Sequence, residues 1–596
     1  MVHAQPIDST TDSGQIVDQA LSQKLEQRLE WQALLHVHDQ EPYIKDNQFL
    51  LSWPRFSLAN ELAKNINALL SANNAAYVCR FPARAVWLQQ QLQLPPISFA
   101  QCPDFLEYLN NAPANDIKLV YVSDNITQPS SMMGHVLIQF SGVNQKNQHV
   151  DHAISFFTEV QGINAPKLMF EAMVTGKRGY FSLTPLQEKL ERYQHREQRN
   201  IWTYDLRLTD EQRKRIQYHV WELKTAALTY YFSRYNCATL THFMLATTGD
   251  PEVSKRFSQM LTPLDIVKSS DAAHLIVGTT LLPADKFAIR MLSDSYSPSW
   301  QRKLKSAVDH QALKPLIEST PSPEEKFVIY QVASHYRDYR IDQGKVAADQ
   351  AEFNTQFEQS KPLVQDFSID LSQYKSPLKA PDDSQFSVGS GYDNHQYDLR
   401  LDYLPAAQKL EDDNSQSASE HELLLGNIGL KYLTQEKKLK LDYLKLYSMT
   451  SYIPYDVLTG GISGKFSMSY EPHVDYHLTE QHATTIEGGA GLTHQVMPNL
   501  SISALGLVGV DYFQHGVSVH VSPSLGLIAN EKYDMKSVIQ YKRIYTTQQF
   551  SQPYNSIKWI QSKRFTPELS LQFTFEQFWN NDKQKTAYAL MLKKMF

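Results

Sequence analysis

The sequence predicts a multidomain protein that joins an α+β region to an all-β region. We expect a helical N-terminal segment at 1–115, an α+β domain at 116–255, a helical linker at 256–383 and an antiparallel β-barrel of about twelve strands at 384–596. Three patterns carry this prediction: helical spacing of apolar residues at the start, short buried-type strands in the middle and period-two alternation over the last third. At 596 residues the chain is also too long for one ordinary domain.

Composition narrows the class of partner. The chain carries 57 basic and 63 acidic residues, a net charge of −6, and this lack of excess positive charge argues against a nucleic-acid partner. No run of about eighteen apolar residues occurs, so the sequence predicts no transmembrane helix, although membrane β-strands escape this test. The start, Met1-Val-His-Ala4, ends like a signal-peptidase site and favours a mature exported chain with an added Met. An accidental alanine explains the same residues equally well.

The N-terminal segment shows helical spacing of leucines over 19–37, with similar patterns over 60–70 and 83–92. We expect a helical cap or prodomain there rather than the chemistry. Cys79 and Cys102 fall within this segment and can pair in an oxidising periplasm, or remain two buried thiols; the sequence leaves both open. Cys237 is then the odd cysteine, which marks a candidate reactive thiol.

Cys237 follows Asn236 at what the pattern predicts to be the first turn of an apolar helix. The preceding helix is predicted to begin at a capping box made by Thr209 and Gln212. A thiol at a helix N-terminus feels the positive end of the dipole, so we expect the pKa of Cys237 to fall toward the reactive range. The alternative is a buried, inert cysteine.

Strand patterns at 117–122, 135–140 and 150–157 predict a sheet upstream of this helix. His135 follows Gly134 at a strand start, where a side chain can project into a site, and His152 lies on the neighbouring strand. Thiol catalysis needs a base within hydrogen-bond reach of the sulfur and a third polar group that orients the base. A purely structural role for each histidine is the alternative.

Four motifs in order resemble the Lnb-type N-terminal periplasmic domain family: Ser131-Met-Met-Gly-His-Val-Leu-Ile-Gln-Phe140, Asp151-His-Ala-Ile-Ser-Phe-Phe157, Glu197-Gln-Arg-Asn-Ile-Trp-Thr-Tyr-Asp-Leu206 and Tyr235-Asn-Cys-Ala-Thr239. The resemblance covers about residues 115 to 250. That family is similar to the circularly permuted papain-like superfamily, which includes NlpC-type peptidases and lecithin:retinol acyltransferase. In the permuted members histidine precedes cysteine, the cysteine opens a helix and the histidine lies on the adjoining sheet.

Carried over by motif, this resemblance implies that Cys237 is the nucleophile and His135 the base. His152 is the first candidate for the third polar position, with Ser155 and Glu197 as competitors; Glu197 can instead anchor a nearby arginine. The remaining positions that the resemblance assigns to the oxyanion or substrate region are Asn236, Ser131, Gly134 and, again, Glu197. The stretch 176–180 is interpreted as a flap over the groove or, equally, as a solvated turn.

The chemistry that the resemblance implies is acyl transfer through a thioester. A Gram-positive relative is a lipoprotein transacylase, whereas this chain has the features of a Gram-negative envelope protein, so we do not transfer the substrate. Peptide or peptidoglycan amide hydrolysis shares the first step, with water as acceptor. No cofactor is predicted, because neither metal-ligand spacing nor a phosphate-binding glycine loop is visible. The expected partners are outer-membrane lipid and a lipoprotein or peptidoglycan substrate.

A Pro- and Asp-rich joint at 376–384 precedes the strand-rich region. The strands beyond it are about ten residues long and alternate with period two, and the chain ends with Tyr588, Leu590, Leu592 and Phe596 on one face, with Lys594 as the exception. This favours an outer-membrane barrel over a soluble β-sandwich or periplasmic barrel. We therefore expect an exported protein of the Gram-negative periplasm and outer membrane. The class that competes with an envelope enzyme is a non-catalytic structural or transport protein.

Overall fold

The computed structural model describes residues 13–124, 133–159, 171, 175–255, 260–347, 351–369, 374–393, 396–475, 477–514, 516–547 and 552–596. The chain divides into two compact units, Met1–Leu282 and Pro283–Phe596. The helical N-terminal segment and the α+β domain share the first unit, which also takes in residues 256–282 of the predicted linker, and the rest of that linker and the barrel share the second. Across the described ranges, no helix combines the length and apolar character needed to cross a membrane.

The first unit is helical at its start and mixed after residue 115. Its helices are α1 (Ser13–Ser22), α2 (Leu29–Leu34), α3 (Leu58–Leu70), α4 (Ala75–Arg80), α5 (Pro82–Gln91), α6 (Pro103–Asn111), α7 (Leu186–Glu191), α8 (Asp210–Leu223), α9 (Cys237–Ala246), α10 (Pro251–Lys255) and α11 (Pro263–Ala272). Its strands are β1 (Val37–His38), β2 (Glu41–Pro42), β3 (Asp116–Val122), β4 (His135–Val143), β5 (His149–Phe157), β6 (Lys177–Arg178), β7 (Tyr180–Pro185), β8 (Ile201–Leu206), β9 (Thr229–Tyr230) and β10 (Ile276–Leu282).

A six-stranded antiparallel sheet in the order β10-β8-β3-β4-β5-β7 organises this unit. One face packs an apolar core that includes Val120, Leu137, Ala153 and Tyr193. Helix α9 packs against β4 and β5, and all of its side chains are buried. The predicted Thr209–Gln212 capping box is confirmed, because each side chain accepts a hydrogen bond from the other residue's backbone N–H.

The N-terminal helices are packed onto the rest of the unit. Helix α5 lies against α8, and α2 lies against α9. Trp31 of α2 stacks on Trp87 of α5 with ring centroids 5.2 Å apart. Cys79 and Cys102 form a disulfide, which settles the choice that the sequence left open. The indole N–H of Trp221 donates to the carbonyl of Cys79 at 2.8 Å, so the disulfide region is also bonded to α8.

The second unit begins with five helices and ends with twelve strands among the described residues. The helices are α12 (Asp285–Ser293), α13 (Pro298–Asp309), α14 (Leu313–Glu318), α15 (Pro323–Asp342) and α16 (Ala351–Ser360). The strands are β11 (Gln385–Asp393), β12 (Gln396–Leu404), β13 (Glu420–Leu433), β14 (Lys438–Tyr452), β15 (Ser463–Val474), β16 (Glu480–Met497), β17 (Leu500–Phe513), β18 (Gly516–Glu531), β19 (Met535–Thr546), β20 (Tyr554–Thr566), β21 (Leu569–Trp579) and β22 (Gln584–Met595).

These strands close into an antiparallel barrel in sequence order, with β22 pairing back to β11. Side chains alternate along each strand between the outer surface and the lumen. On β17 and β18 the outer positions are apolar and exposed, as at Val508 and Leu525, whereas lumen positions such as Ser503 and Ser522 are polar and buried. Apolar outside and polar inside is the pattern of a membrane barrel. The predicted twelve-stranded barrel is confirmed, and helices precede it as predicted, but β10, which falls within the predicted linker, is a strand of the first unit's sheet.

The loop between β12 and β13, residues 405–419, folds into the lumen at the end where β11 begins and β22 ends. Its buried Asp412 carboxylate accepts from the Lys593 ammonium on β22 at 2.6 Å, and the Lys536 ammonium on β19 donates to the Asp412 carbonyl at 2.8 Å. Ser562 on β20 donates to the carbonyl of Glu411 at 2.8 Å. The loop is therefore bonded to strands on different sides of the barrel wall.

An apolar cluster fills the lumen next to this loop. It consists of Tyr452, Leu505, Leu507, Ile528 and Val538, contributed by strands β14, β17, β18 and β19, and Leu410 of the loop packs against it. Because inward side chains from separated strands contact one another, this end of the lumen is a packed core. At the opposite end the barrel opens into a cavity of about 730 Å³ lined by Asp398, Lys431, Glu480 and Lys585 among other polar residues.

Candidate active site

Helix α9 begins where the sequence predicts, at Cys237. The Asn236 side chain caps it by accepting from the N–H of Thr239 at 3.0 Å. The two amide hydrogens of Asn236 are also engaged, since its Nδ2 donates to the carbonyls of Phe232 and Leu261, both at 2.9 Å. Asn236 therefore fixes the turn that presents Cys237 and has no donor left over for an oxyanion.

The Cys237 thiol is buried, and its electrostatics differ from the sequence prediction. Burial raises its pKa to about 11, and the backbone N–H groups of Val136 and Ala238 and the cation of Arg199 oppose this rise. The prediction that the helix N-terminus lowers the pKa of Cys237 is wrong, because loss of hydration outweighs the dipole and the hydrogen bonds. In the resting protein the sulfur is a neutral thiol.

The contact with Val136 places the sulfur at a split in the sheet. The β4–β5 ladder ends at the pair Ile138–Ile154, while the start of β4 stays paired to β3 and the end of β5 stays paired to β7. A strand N–H points along the sheet toward the neighbouring strand. The Cys237 sulfur therefore lies at the edge of β4 where β5 has separated from it, beside the residue that follows His135.

His135 is the first residue of β4 and pairs with Val122. Burial, together with the nearby cations of Arg199, Lys189 and Arg192, lowers the pKa of His135 to about 3, so the imidazole is neutral. Its ring centroid lies 6.1 Å from that of Tyr193, whose pKa burial raises to about 12, and a Cys237 thiolate would add to that rise. Tyr193 and Arg199 are thus shared neighbours of the predicted base and the predicted nucleophile.

Gly134 supplies the backbone conformation that brings the chain into β4. Its φ is +83°, in the left-handed region, and a Cβ atom at this position would stand 2.8 Å from the carbonyl oxygen of Val122 and 3.1 Å from the Tyr121 ring. Any other residue would displace the start of β4 and hence His135. Ser131, three residues earlier, lies outside the described residues.

Glu197 anchors Arg199, which is the alternative that the sequence left open. The Arg199 guanidinium donates to Glu197 at 3.0 Å and to the carbonyls of Ser123 and Val122 at 2.6 and 3.1 Å. Arg192 donates to the other oxygen of Glu197 at 2.8 Å. Arg199 is therefore held at the end of β3, next to His135. Sequence reasoning missed Tyr193 and considered Arg199 only as a partner of Glu197 within the third motif.

The structure does not bring His152 to His135. On β5, His152 pairs with Phe140, five residues along β4 from His135, which is about 17 Å at 3.4 Å per residue. Because alternate residues face opposite sides of a sheet, His152 also points to the other face. Ser155 lies on the same face of the sheet as His135, and its hydroxyl oxygen lies 2.8 Å from the hydroxyl oxygen of Ser182. We leave His152 out of the site on this geometry.

The neutral thiol and imidazole give a defined pH dependence. We expect iodoacetamide to alkylate Cys237 about a hundredfold more slowly at pH 8 than a free thiol, because a pKa of about 11 lies two units above the ordinary 9.0. The rate should rise to at least pH 10, without a step near 6.5, since the pKa of His135 is about 3. Intact-mass labelling measures this, and a plateau below pH 7 would instead reveal a thiolate–imidazolium pair.

The same pKa shifts make the free energy of unfolding depend on pH, Cys237 at high pH and His135 at low pH. The folded thiol of Cys237 titrates above the unfolded one, so its contribution falls as the pH rises from 9.0 toward about 11. The folded imidazole of His135 titrates below the unfolded one, so its contribution is lost as the pH falls from 6.5 toward about 3. Between these windows both groups are neutral in the folded protein.

Comparison with known proteins agrees with this geometry. Residues 104–272 match the family described as the Lnb N-terminal periplasmic domain. This match confirms the resemblance that the four sequence motifs indicated. The Lnb-type domain is flanked by matches to two families described as Domain of unknown function, DUF7843 over residues 23–91 and DUF7840 over residues 374–594. No curated protein matches the chain.

Among solved structures, two porins and one outer membrane protein are similar to part of the chain. They are KdgM porin (8% identity, 36% of this chain and 99% of that chain covered, TM-score 0.22), an anion-selective porin from Comamonas acidovorans (12%, 33% and 59%, 0.18) and the loop-deletion form of OmpT from Vibrio cholerae (6%, 35% and 97%, 0.18). The Lnb-type periplasmic domain and the exposed apolar belt of the barrel make this an exported protein of the periplasm and outer membrane.

Proposed function

We propose that this protein is an envelope cysteine acyltransferase in which Cys237 is the nucleophile and His135 the general base. One observation carries the proposal: the Cys237 sulfur lies at a helix N-terminus and against the N–H of Val136, the residue next to His135. A buried thiol with backbone donors and a nearby cation, and a neutral imidazole on the residue next to its Val136 contact, supply the groups that thiol acyl chemistry uses.

The proposed reaction starts from the neutral pair. The sulfur of Cys237 attacks the carbonyl carbon of an ester while its proton passes to His135, so the S–C bond forms as the imidazolium appears. The backbone N–H of Cys237 and the Arg199 cation stabilise the developing oxyanion. His135 then returns the proton to the departing alcohol, which leaves a thioester. An acceptor hydroxyl or amine attacks that thioester, and its proton returns through His135 to the sulfur.

The barrel supports the enzymatic proposal over the transport alternative. Its lumen is closed by the 405–419 loop and by the apolar cluster beside it. A lumen packed in this way offers no continuous aqueous path at that end. We infer that the barrel is a membrane anchor for the Lnb-type domain, which is joined to it through the same chain and would thereby stay close to lipid substrates.

Transfer and hydrolysis are separated by the fate of the acyl group. With p-nitrophenyl palmitate as donor and a short peptide with a free N-terminal amine as acceptor, we expect most of the palmitoyl group to appear as amide, measured by mass spectrometry. The matched control is the same peptide with an acetylated N-terminus, which should yield only palmitate. Palmitate as the sole product with both peptides would favour the hydrolase alternative.

A further inference from the structure

A chain of four buried side chains runs through the first unit to the turn before Cys237. The Tyr235 hydroxyl lies 2.6 Å from Nδ1 of His36, Nε2 of His36 lies 2.9 Å from Nε2 of His219, and Nδ1 of His219 lies 3.1 Å from Glu222. All four side chains are at most 2% exposed. His36 comes from the N-terminal helical segment, more than 180 residues before its two partners.

The donor and acceptor of each of these hydrogen bonds follow from Glu222, the last of the four side chains. Glu222 is paired with the buried Arg84 guanidinium at 3.5 Å and also accepts from the Arg84 backbone N–H at 3.0 Å, so it is a carboxylate and accepts from His219. Burial lowers the pKa of both His36 and His219, so each imidazole is neutral and donates through only one nitrogen. Nε2 of His219 therefore accepts from His36, and Nδ1 of His36 accepts from the Tyr235 hydroxyl.

The four hydrogen-bonded side chains end, at Tyr235, on the segment that positions the nucleophile. Tyr235 and Tyr231 exchange two backbone hydrogen bonds, of 3.0 and 3.1 Å, which close the turn before the Asn236 cap. The Tyr235 ring lies 5.4 Å from that of Phe156 at the end of β5. The His36 ring also stacks on the ring of Phe243 in α9, with the two ring centroids 4.6 Å apart. His36 thus contacts the protein both before and after Cys237.

We propose that His36 and Tyr235 are positioning residues that hold the 231–236 turn and the start of α9, and thereby keep the Cys237 sulfur buried against Val136. The N-terminal segment, which matches a family without a described function, is then the support of the nucleophile. This inference rests on the proposed role of Cys237 for its functional meaning. The test measures the alkylation rate of the Cys237 thiol, which does not depend on acyl transfer. This inference and the proposed function can therefore fail separately.

The test is the pH-dependent alkylation of Cys237 by iodoacetamide in the full-length protein. Tyr235→Phe removes one hydroxyl and no other atom. Because the loosened turn admits water to the sulfur, we expect at least a tenfold faster reaction at pH 8 and a titration midpoint shifted from about 11 toward 9.0. The matched control is Tyr108→Phe, which removes a hydroxyl of the same N-terminal segment that donates to the Gln217 carbonyl at 2.8 Å. It should leave both values unchanged.

A second pair of variants tests the link to His36. His36→Asn keeps an acceptor oxygen in the place of Nδ1 and should stay within about twofold of the wild-type rate, whereas His36→Ala should resemble Tyr235→Phe. All rates are compared below the temperature at which any variant starts to unfold. Unchanged alkylation in Tyr235→Phe, or an equal change in Tyr108→Phe, would overturn the inference. Absence of acyl transfer with normal alkylation results would overturn the proposed function alone.

Discussion

Replacing Cys237 by alanine lowers the release of p-nitrophenol from p-nitrophenyl palmitate by at least about a thousandfold, because no other described thiol is free to form the thioester. His135→Ala is expected to lower the same rate by about a hundred- to ten-thousandfold, since the neutral imidazole is the group that takes the thiol proton. Both rates are measured with detergent-purified protein after subtraction of spontaneous hydrolysis.

The control for this experiment is His152→Ala. It removes a histidine from the same sheet, but one that faces the other side and lies about 17 Å along the strand from His135. We expect activity within about twofold of the wild type. Equal losses in His152→Ala and His135→Ala would contradict the structural assignment and restore the third catalytic position that the motifs suggested.

The second large effect concerns the barrel. Wild-type protein in planar lipid bilayers should produce no conductance steps, whereas replacement of residues 405–419 by a short Gly-Ser linker should produce discrete steps. The physical reason is that removal of the loop deletes Leu410 from the apolar cluster and leaves Lys593 and Lys536 without their partners on the loop. Lys536 keeps its ion pair with Glu420 of β13, but the buried Lys593 ammonium loses both Glu411 and Asp412, and its charge would then favour hydration of the passage.

Lys585→Met serves as the matched control for the conductance experiment. It removes an ammonium that lines the cavity at the opposite end of the barrel, where it pairs with Asp393 and Glu480. The closed end is untouched by this change, so the variant should stay silent. Conductance in the wild type, comparable to that of the loop variant, would contradict the closed lumen and support the transport alternative.

Features set by local sequence patterns could be predicted. The start of α9 follows from Asn236, and the start of α8 from the Thr209–Gln212 box, because a cap is decided by residues within one turn. The number and closure of the barrel strands follow from alternation with short turns. In the same way the strand pattern after Gly134 correctly predicted that β4 begins at His135.

Features set by tertiary packing could not be predicted. The dipole argument for Cys237 failed because burial, which sequence spacing does not reveal, governs its pKa. The role given to His152 depended on strand register, in which a shift of one residue reverses the face. The contact between His36 and Tyr235 joins residues 199 positions apart, and nothing in either local motif indicates it. The 405–419 loop has the polar composition of an ordinary exposed connection, yet Gln408, Glu411, Asp412 and Asn414 within it are buried.

The most direct measurement is the mass of the intact protein after brief exposure to p-nitrophenyl palmitate, followed by peptide mapping. The account predicts one added palmitoyl group, removed by neutral hydroxylamine as expected of a thioester, located on Cys237 and absent from Cys237→Ala. Turnover of the ester with no adduct, or with an adduct on another residue that persists in Cys237→Ala, would contradict the assignment of Cys237 as the nucleophile.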